Sequence, residues 1–352
     1  MNEQPLMSTS LEQNLEYMKE RMCPDLSFDV VYRVIEIGGR KACIYFIDGF
    51  CKDELMEKML QYFLDLKEEE MPENAYEMAK RTVPYVEVDL KEKWDDILYN
   101  ILSGVFALFI DGYDRCILID SRTYPARGVD EPDKDKTLRG SKDGFVETVV
   151  CNTALIRRRI RSSQLRMEML NAGKSSRTDI VLCYMDQRVD KQFLQKIKKR
   201  ISEIQVDALT MNQESLAECL YQHKWYNPFP KVRYTERPDA AAASIMEGSI
   251  VLMVDNSPSV MILPTSFFDF TQESNDYYFP PLIGTYLRIL RVTVFILSLF
   301  ITPAWYLMVS EPNRLPAWLD FLSSPEPVSL SLLSQLLVVE FLIDVLKLAS
   351  LN

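Results

Sequence analysis

The chain has 352 residues, of which 47% are hydrophobic and 26% charged, enough for a substantial core and more than one folding unit. Its formal net charge of -11 repels phosphate backbones, and this excludes nucleic acid as a general partner. The single histidine, His223, excludes a multi-histidine metal site, and none of the seven cysteines has the two-residue spacing of zinc ligands or redox pairs. We therefore expect no metal and no cofactor, with most cysteines buried in a protein from a reducing compartment.

Residues 1–27 are predicted to form an N-terminal tail or helix. They carry neither the basic-then-apolar signature of a secretory signal nor an Arg-rich transit helix. We therefore expect the N-terminus to stay inside the cell.

Two stretches of the chain repeat the same order of predicted elements. In each, a helix-like stretch ends at a glycine, an apolar strand follows, and an aspartate begins the turn into a second apolar strand. The glycines are Gly104 and Gly248, and the aspartates are Asp111 and Asp255. The dipeptides Asp111-Gly112 and Asp255-Asn256 suit tight turns that need positive φ.

A weaker match supports the same duplication. A strand, an aspartate turn and an amphipathic helix follow one another at Asp48 and again at Asp186. Together the matches predict an α/β (α+β) cytosolic domain of two related subdomains, residues 28–124 and 175–283. Chance similarity between short αββ units is the alternative.

Residues 125–174 are predicted to connect these subdomains. Pro125 and Gly128 indicate an irregular loop, and Asp143 is expected to cap a helix whose apolar residues recur at helical spacing. The helix ends in an arginine cluster formed by Arg157, Arg158, Arg159 and Arg161. In a chain with 51 acidic residues this cluster favours intramolecular or intersubunit ion pairs, and phosphate or acidic lipid is the alternative ligand.

Residues 284–310 are predicted to form a first transmembrane helix. The stretch 292–310 contains no charged side chain, and about 20 apolar residues are enough to cross the hydrocarbon core. Arg288 and Arg291 precede this stretch, so the positive-inside rule places the preceding domain in the cytoplasm. Residues 311–327 would then form an external loop. A buried core helix is the alternative interpretation.

Residues 328–352 are predicted to form a second, truncated membrane helix. Insertion is marginal because Glu340, Asp344 and Lys347 interrupt the apolar pattern. The spacing places Glu340 and Asp344 on one face, which should contact protein or water rather than lipid. This helix either lines a polar path in an assembly or lies at the membrane interface. The pattern continues to the last residues, so we expect a fragment of a longer membrane protein.

The chain carries no recognisable catalytic motif. It has no GxxxxGK phosphate loop followed by Ser or Thr, no GxGxxG after a strand and no HExxH. Asp111 and Asp255 have a complete explanation as turn residues. The sequence therefore predicts that the protein is not an enzyme.

Several motifs occur in a fixed order along the chain. The motif residues are Arg122, Glu131, Pro132, Arg139, Gly140, Gly144, Phe145, Glu147, Asn152, Arg157, Arg159, Arg237, Pro238, Asp239 and Asp255. Over residues 28–352 this pattern resembles the GerA-type spore germination family. The string 124–133 is more similar to the stage V sporulation AF branch of that family than to its nutrient-receptor A subunits. Ser141 and Lys142 depart from the Pro-Arg usual at this place in the family.

The triplet Arg237-Pro238-Asp239 also has a purely architectural interpretation. The arginine would pair an acid, the proline would open a helix at its first turn, and the aspartate would stabilise the positive end of that helix. We expect the motif residues as a group to serve architecture or assembly.

The resemblance implies an integral protein of the spore inner membrane with its N-terminal domain in the cytoplasm. It also implies a homo-oligomer in contact with the lipid bilayer and with other spore germination membrane proteins. The leading hypothesis is an oligomeric ion-channel or receptor component whose cytosolic domain mediates assembly. The alternatives are a membrane-tethered enzyme, a ligand- or nucleotide-binding regulator, and a monotopic adaptor held by one helix.

Overall fold

The computed structural model describes residues 5–124, 141–221, 231–266, 269, 280–310, 318 and 330–350. The chain divides into two compact units, Met1–Phe270 and Thr271–Asn352. The first unit holds two five-stranded sheets, and the second holds two long helices.

The first half of the first unit is built around one sheet. Its elements are α1 (Leu11–Met22), β1 (Val30–Ile37), β2 (Arg40–Ile47), α2 (Asp53–Asp65), α3 (Ala75–Glu77), β3 (Val88–Lys91), α4 (Trp94–Leu102), β4 (Phe106–Ile110) and β5 (Cys116–Ile119). A 3-10 turn, Glu68–Glu70, and a π-helical turn, Met78–Thr82, lie between α2 and β3. The strands are antiparallel in the order β1-β2-β4-β5-β3.

The second half repeats this plan. Its elements are α5 (Val149–Arg159), β6 (Leu165–Ala172), β7 (Thr178–Met185), α6 (Lys191–Ser202), α7 (Gln213–Leu220), β8 (Arg233–Thr235), α8 (Pro238–Glu247), β9 (Ile250–Val254) and β10 (Val260–Leu263). The antiparallel order β6-β7-β9-β10-β8 is the order of the first sheet. The prediction of an α+β domain with two related subdomains is therefore confirmed.

Each sheet is covered on both faces. In the first half, α1 and α4 cover one face and α2 the other, and in the second half α5 and α8 lie opposite α6 and α7. The central strands β4 and β9 are buried along their whole length. Because helices cover both faces of each sheet, the side chains on both faces must be apolar. These strands are therefore continuous apolar runs, with no alternation of apolar and polar residues.

The glycine and turn predictions are confirmed. Gly104 and Gly248 follow the ends of α4 and α8 with φ of 96° and 103°, a region that glycine enters without steric cost. Gly112 and Asn256 have φ of 85° and 62° in the two hairpin turns. These positions fix where each helix stops and each hairpin reverses.

The repeats begin earlier than the predicted subdomain limits at residues 28 and 175. Helix α1 lies within the predicted tail 1–27 but contributes Leu11 and Met18 to the core of the first half. Strand β6 begins at Leu165, inside the predicted connection 125–174. Strand β6 is at the edge of its sheet, and edge strands commonly carry charged residues. Arg166 and Glu168 interrupt its apolar pattern, so the sequence does not predict a strand there. Each repeat therefore starts with a helix, α1 or α5.

The second unit consists of α9 (Pro281–Ser310) and α10 (Leu332–Ser350). The segment Leu282–Ser310, with a mean hydropathy of 2.0, is long and apolar enough to cross a membrane, and none of its apolar window is buried. Among the described helices it alone meets this criterion. The predicted loop 311–327 lies outside the described residues apart from Trp318.

Helix α10 carries the charged residues for which the sequence predicts only marginal insertion into a membrane. Glu340 lines a cavity of about 390 Å³ between α9 and α10, together with Pro303 and Tyr306. Asp344 is 67% exposed, and its carboxylate lies 3.5 Å from Nζ of Lys347. A role of Glu340 and Asp344 in a polar path stays a prediction.

Candidate functional site

Most of the motif residues surround α5. We call residues 141–147, α5, residues 235–239 and residues 255–257 the motif cluster. Glu131, Pro132, Arg139 and Gly140 lie outside the described residues. The other predicted motif residues, apart from Arg122, belong to the cluster.

Asp255 holds the start of α5. Its carboxylate accepts a hydrogen bond from the Val149 N–H at 3.1 Å, and the Asn256 N–H donates to the Glu147 carbonyl at 2.8 Å. A carboxylate at this position satisfies an N–H that has no partner within the helix and complements the helix dipole. The turn residue of the second hairpin is therefore also the cap of a helix from much earlier in the chain.

Asn152 fixes the loop before α5. Its Oδ1 accepts from the Val146 N–H at 2.8 Å, and its Nδ2 donates to the Val146 carbonyl at 2.6 Å. The side chain is fully buried. Only a side-chain amide offers a donor and an acceptor with this spacing, so Asn152 satisfies both polar groups of one residue.

The residues just before α5 anchor the loop in different ways. Gly144 and Phe145 are buried, and Phe145 belongs to the core between α5, α8 and the second sheet. The Phe145 N–H donates to the Glu236 carbonyl at 2.9 Å. Glu147 has an exposed side chain and contributes its backbone carbonyl.

Asp143 and Arg159 form an ion pair beside this loop. Nη2 of Arg159 lies 2.5 Å from Oδ2 of Asp143 and 3.3 Å from Oγ of Ser141. The prediction that Asp143 caps α5 is wrong, because the helix starts at Val149 and its first N–H is held from the distant hairpin. Partial burial raises the pKa of Asp143, but hydrogen bonds from Arg159 and Ser141 outweigh it and hold the pKa below its ordinary value.

Arg237 joins the loop to α8. The fully buried guanidinium donates from Nη2 to the Ser141 carbonyl at 2.9 Å and lies 2.6 Å from Oδ2 of Asp239. Pro238 is the first residue of α8, where a missing N–H costs nothing, and Asp239 lies in the first turn. These contacts agree with the architectural interpretation of the triplet.

Arg157 connects the two halves of the domain. Its Nε lies 2.7 Å from Oδ2 of Asp29 and its Nη2 lies 3.1 Å from Oδ1. The guanidinium also donates to the carbonyls of Ser162 and Leu165 at 3.1 and 3.4 Å. A two-pronged pair with its remaining donors satisfied is the geometry in which a buried ion pair is tolerated.

Other contacts extend this connection. The Phe28 N–H donates to the Met167 carbonyl at 3.1 Å, and the Arg158 guanidinium lies 4.5 Å from the ring centre of Tyr124. The predicted use of the arginine cluster in intramolecular pairing agrees with these contacts. We call this region the inter-half joint and define it by Phe28, Asp29, Tyr99, Tyr124, Arg157, Arg158, Arg161 and Met167.

Arg122 lies in the first half, apart from the motif cluster. Its Nε donates to Oδ1 of Asp120 at 2.6 Å, and its Nη1 lies 3.4 Å from the Tyr124 hydroxyl. The hydrogen bond to Asp120 raises the pKa of Arg122, and the same bond lowers the pKa of Asp120. Because Tyr124 also contacts Arg158, Arg122 reaches the inter-half joint through this tyrosine.

The first half contains a matching arrangement that the sequence analysis missed. Asp111 accepts a hydrogen bond from the Leu11 N–H at 2.9 Å. Asn14 accepts from the Ser8 N–H at 3.0 Å and donates to the Ser8 carbonyl at 2.6 Å. The signal was an asparagine three residues after the helix start in both halves. Lys19 of α1 occupies the position equivalent to that of Arg157 in α5. It forms no buried ion pair with a described residue, and its Nζ lies 5.7 Å from the centre of the Tyr32 ring.

None of the seven cysteines forms a disulfide, and fewer are buried than expected. Cys43, Cys116 and Cys183 are buried, three more are half-buried, and Cys219 is exposed. Burial raises the pKa of the Cys43 thiol to about 12, which keeps it protonated. Within the described residues, no group of three or more His, Cys, Asp or Glu side chains is placed to hold a metal ion.

Comparison with known proteins agrees with this architecture. The family described as Bacillus/Clostridium GerA spore germination protein matches residues 16–352. Stage V sporulation protein AF of Bacillus subtilis (strain 168) is 34% identical over 340 residues, which cover 96% of this chain and 69% of that protein. Spore germination protein KA of the same organism is 31% identical over 308 residues, which cover 86% of this chain and 55% of that protein.

A solved structure supports the fold of the first unit. The crystal structure of the N-terminal domain of the A subunit of the Bacillus megaterium spore germinant receptor GerK3 matches with a TM-score of 0.58 and 26% identity. The match covers 76% of this chain and 99% of that domain. The resemblance inferred from the ordered motifs, including its similarity to the AF protein, is confirmed. From the extent of these matches, the chain belongs to the GerA family of spore germination proteins.

Proposed function

We propose that this chain is part of an integral membrane subunit of a spore germination complex, an oligomeric ion-channel or receptor component. Its α+β domain mediates assembly on the cytoplasmic side of the spore inner membrane, and its partners are copies of itself and other germination membrane proteins. The proposal assigns it no enzymatic step. The observation that carries it is that the motif residues fix the loops around α5 and that one of them, Arg157, ties this half of the double domain to the other.

The motif residues hold parts of the domain in place. Asn152, Asp255 and Arg237 fix the loops around α5, and Arg157 carries the fixation into the first half. Burying an ion pair between two lobes costs free energy that an apolar contact would not. The pair fixes the relative position of the two lobes, which an assembly subunit requires, and this supports the proposal.

The second unit supports membrane attachment. Helix α9 follows the domain in the chain and presents an apolar segment long enough to span, with Arg288 and Arg291 near its start. Lys and Arg concentrate on the cytoplasmic side of membrane helices. This supports a cytoplasmic position for the α+β domain.

The function is tested in spores that lack the protein. We expect slower ion release and germination than in parent spores, with rescue by the intact gene. The purified full-length protein, solubilised in detergent, is expected to sediment as an oligomer. Normal ion release together with a strictly monomeric protein would refute the proposal.

The orientation is tested with a thiol already present. Cys219 is exposed on the domain, so a membrane-impermeant maleimide should label it only after permeabilisation. A cysteine introduced by Glu311→Cys should be labelled in intact cells if α9 spans the membrane. Labelling of Cys219 in intact cells would place the domain outside.

A second candidate function is a membrane-tethered ligand-binding regulator. A cavity of about 670 Å³ in the second half is lined by Arg200, Glu203, Tyr221 and Lys231 among other residues. Basic side chains with an aromatic ring suit a small organic anion. A thermal-shift screen of organic anions separates the candidates: binding raises the melting temperature by mass action, and Arg200→Gln should remove that rise.

A further inference from the structure

Helices α2 and α6 occupy equivalent places in the two halves but carry opposite charge. Each follows the second strand of its sheet and covers a face of that sheet. Helix α6 has five basic residues and no acidic one, a formal charge of +5, whereas α2 has four acidic residues and one basic, a formal charge of -3. The two equivalent positions of the duplicated fold therefore present surfaces of opposite charge.

The acidic charge continues beyond α2. Residues 54–77, which we call the acidic face, contain eight acidic and two basic residues. Glu68–Glu70 form an exposed turn, and Tyr62 and Tyr76 are 41% and 58% exposed in the same segment. Among the described residues, the one ion pair of this face is Glu77 with Arg81 at 2.9 Å. Most of its carboxylates therefore face solvent without a compensating cation among the described residues.

The basic charge of α6 is only partly used within the chain. Nζ of Lys198 lies 2.6 Å from the Glu168 carboxylate, but Lys199 is 75% exposed and 3.7 Å from Glu203. Such an exposed pair contributes little. Lys196 is exposed and forms no ion pair with a described residue. Lys191 is 58% exposed and pairs with Asp186, just before α6. We call the exposed lysines Lys191, Lys196 and Lys199 the basic face.

We infer that the basic face of one copy docks on the acidic face of the next copy, in a head-to-tail contact. A contact between like faces is disfavoured because it would oppose charges of the same sign. A contact between unlike faces is heterologous, and such contacts build closed rings when the rotation between copies closes. The rest of the chain differs in the same sense on the acidic side only: residues 28–124 have 20 acidic and 12 basic residues, whereas residues 165–263 are close to neutral, with 12 and 13. The inference rests on the proposed oligomeric function and names its surfaces.

Zero-length cross-linking tests the contact directly. Full-length protein labelled with nitrogen-15 is mixed with unlabelled protein in detergent and treated with a carbodiimide, which joins lysines to carboxylates in contact. We expect cross-linked peptides between Lys196 or Lys199 and the acids of Glu68–Glu70 that combine a heavy and a light chain. The inference is overturned if every cross-link between these segments combines chains of one label only.

Charge reversal tests the energetic role of the contact. Lys196→Glu/Lys199→Glu and Glu69→Lys/Glu70→Lys are each expected to raise the concentration of half-dissociation by about tenfold or more. A chain carrying all four changes should recover the parent value. Glu16→Lys/Glu20→Lys, on exposed positions of α1, is the control for the glutamate reversal because it changes the charge by the same amount, and it should leave dissociation unchanged.

The outcomes separate the inference from the proposed function. If neither charge reversal changes dissociation of the oligomer, the inference is wrong and the copies assemble through other surfaces. If the parent protein is a monomer, the proposed function is wrong as well. If the lysine reversal instead abolishes binding to vesicles containing phosphatidylglycerol without changing the oligomer mass, the basic face serves lipid and the inference is wrong.

Discussion

The carboxylate of Asp29 accepts two hydrogen bonds from the guanidinium of Arg157, at 2.7 and 3.1 Å, and so ties the start of β1 to α5. Their side chains are 2% and 1% exposed. Neither charge can be solvated if its partner is removed, so the pair contributes more to the placement of the two halves than to net stability. This contact has no counterpart at the equivalent position of α1, which Lys19 occupies.

Removing one partner of this pair should be far more damaging than removing both. Arg157→Met is expected to lower the free energy of unfolding by about 3 to 5 kcal/mol, since the Asp29 carboxylate would remain buried and unpaired. Asp29→Leu/Arg157→Met should cost less than either single change. Urea unfolding of the full chain in detergent, followed by tryptophan fluorescence to which buried Trp94 contributes, measures these effects.

Arg161→Met is the matched control for that experiment. Arg161 is exposed and contacts Tyr99 at the surface, so its removal should cost little. A small loss for both arginine variants would contradict the assignment of Arg157 as the tie between the halves.

The two hairpin aspartates should contribute equally as helix caps. Asp111→Ala and Asp255→Ala each remove the acceptor for the first N–H of α1 or α5, and each is expected to cost about 1 kcal/mol of unfolding free energy. The double variant should show the sum, because the caps lie in different halves. Asp114→Ala, at an exposed position in the first hairpin, is the control. Unequal losses of unfolding free energy would show that the two caps have the same geometry but do not contribute equally to stability.

The sequence was informative where local chemistry determines structure. Gly104, Gly248 and the turn residues at 112 and 256 each sit where positive φ is required, and short-range patterns reveal such positions. Tertiary pairing left weaker traces. The cap of α5 comes from Asp255, in a hairpin much later in the chain, so the local candidate Asp143 does not hold this position.

The limits of the repeats were hidden for a similar reason. The polar residues of edge strand β6 mask its apolar face, and α1 resembles a solvated N-terminal helix until the sheet it covers is known. The carboxylate of Asp29 gave no signal, since an isolated aspartate before a strand is ordinarily solvated. Motif residues could thus be recognised from the chain, while their partners required the fold.

Gly248, which follows α8 in the left-handed backbone conformation, should not tolerate replacement by a residue with a side chain. A Cβ on Gly248 would lie 2.8 Å from the Arg188 carbonyl oxygen, and φ is 103°. We expect Gly248→Ala to lower the unfolding free energy by about 1 to 3 kcal/mol. Gly112→Asn is the contrasting variant, because a Cβ there meets only an arginine side-chain nitrogen at 3.6 Å and the equivalent position already holds Asn256.

Thermal unfolding followed by circular dichroism measures both glycine variants. Gly112→Asn should change the melting temperature little, whereas Gly248→Ala should lower it by several degrees, on the order of 2 to 8 °C for this size range. Equal effects of the two changes would contradict the distinction between them.

The Asp143–Arg159 pair should make the stability of the motif cluster depend on acid pH. The hydrogen bonds from Arg159 and Ser141 outweigh the effect of burial and hold the folded-state pKa of Asp143 below its ordinary value of about 3.9. A depressed carboxylate pKa means that the unfolded chain takes up the proton first as pH falls. The contribution of the pair is therefore complete above pH about 5 and is lost as pH falls toward the folded-state pKa.

Asp143→Asn isolates this contribution from that of other carboxylates, such as Asp89 and Asp120, whose pKa values are also lowered. The difference in unfolding free energy between the parent chain and Asp143→Asn should be constant from neutral pH down to about 5 and should shrink below that. Urea unfolding at a series of pH values measures it. If the difference stayed constant through the acid range, the Asp143 carboxylate would titrate alike in the folded and unfolded chain, and its pairing with Arg159 would contribute no pH-dependent stability.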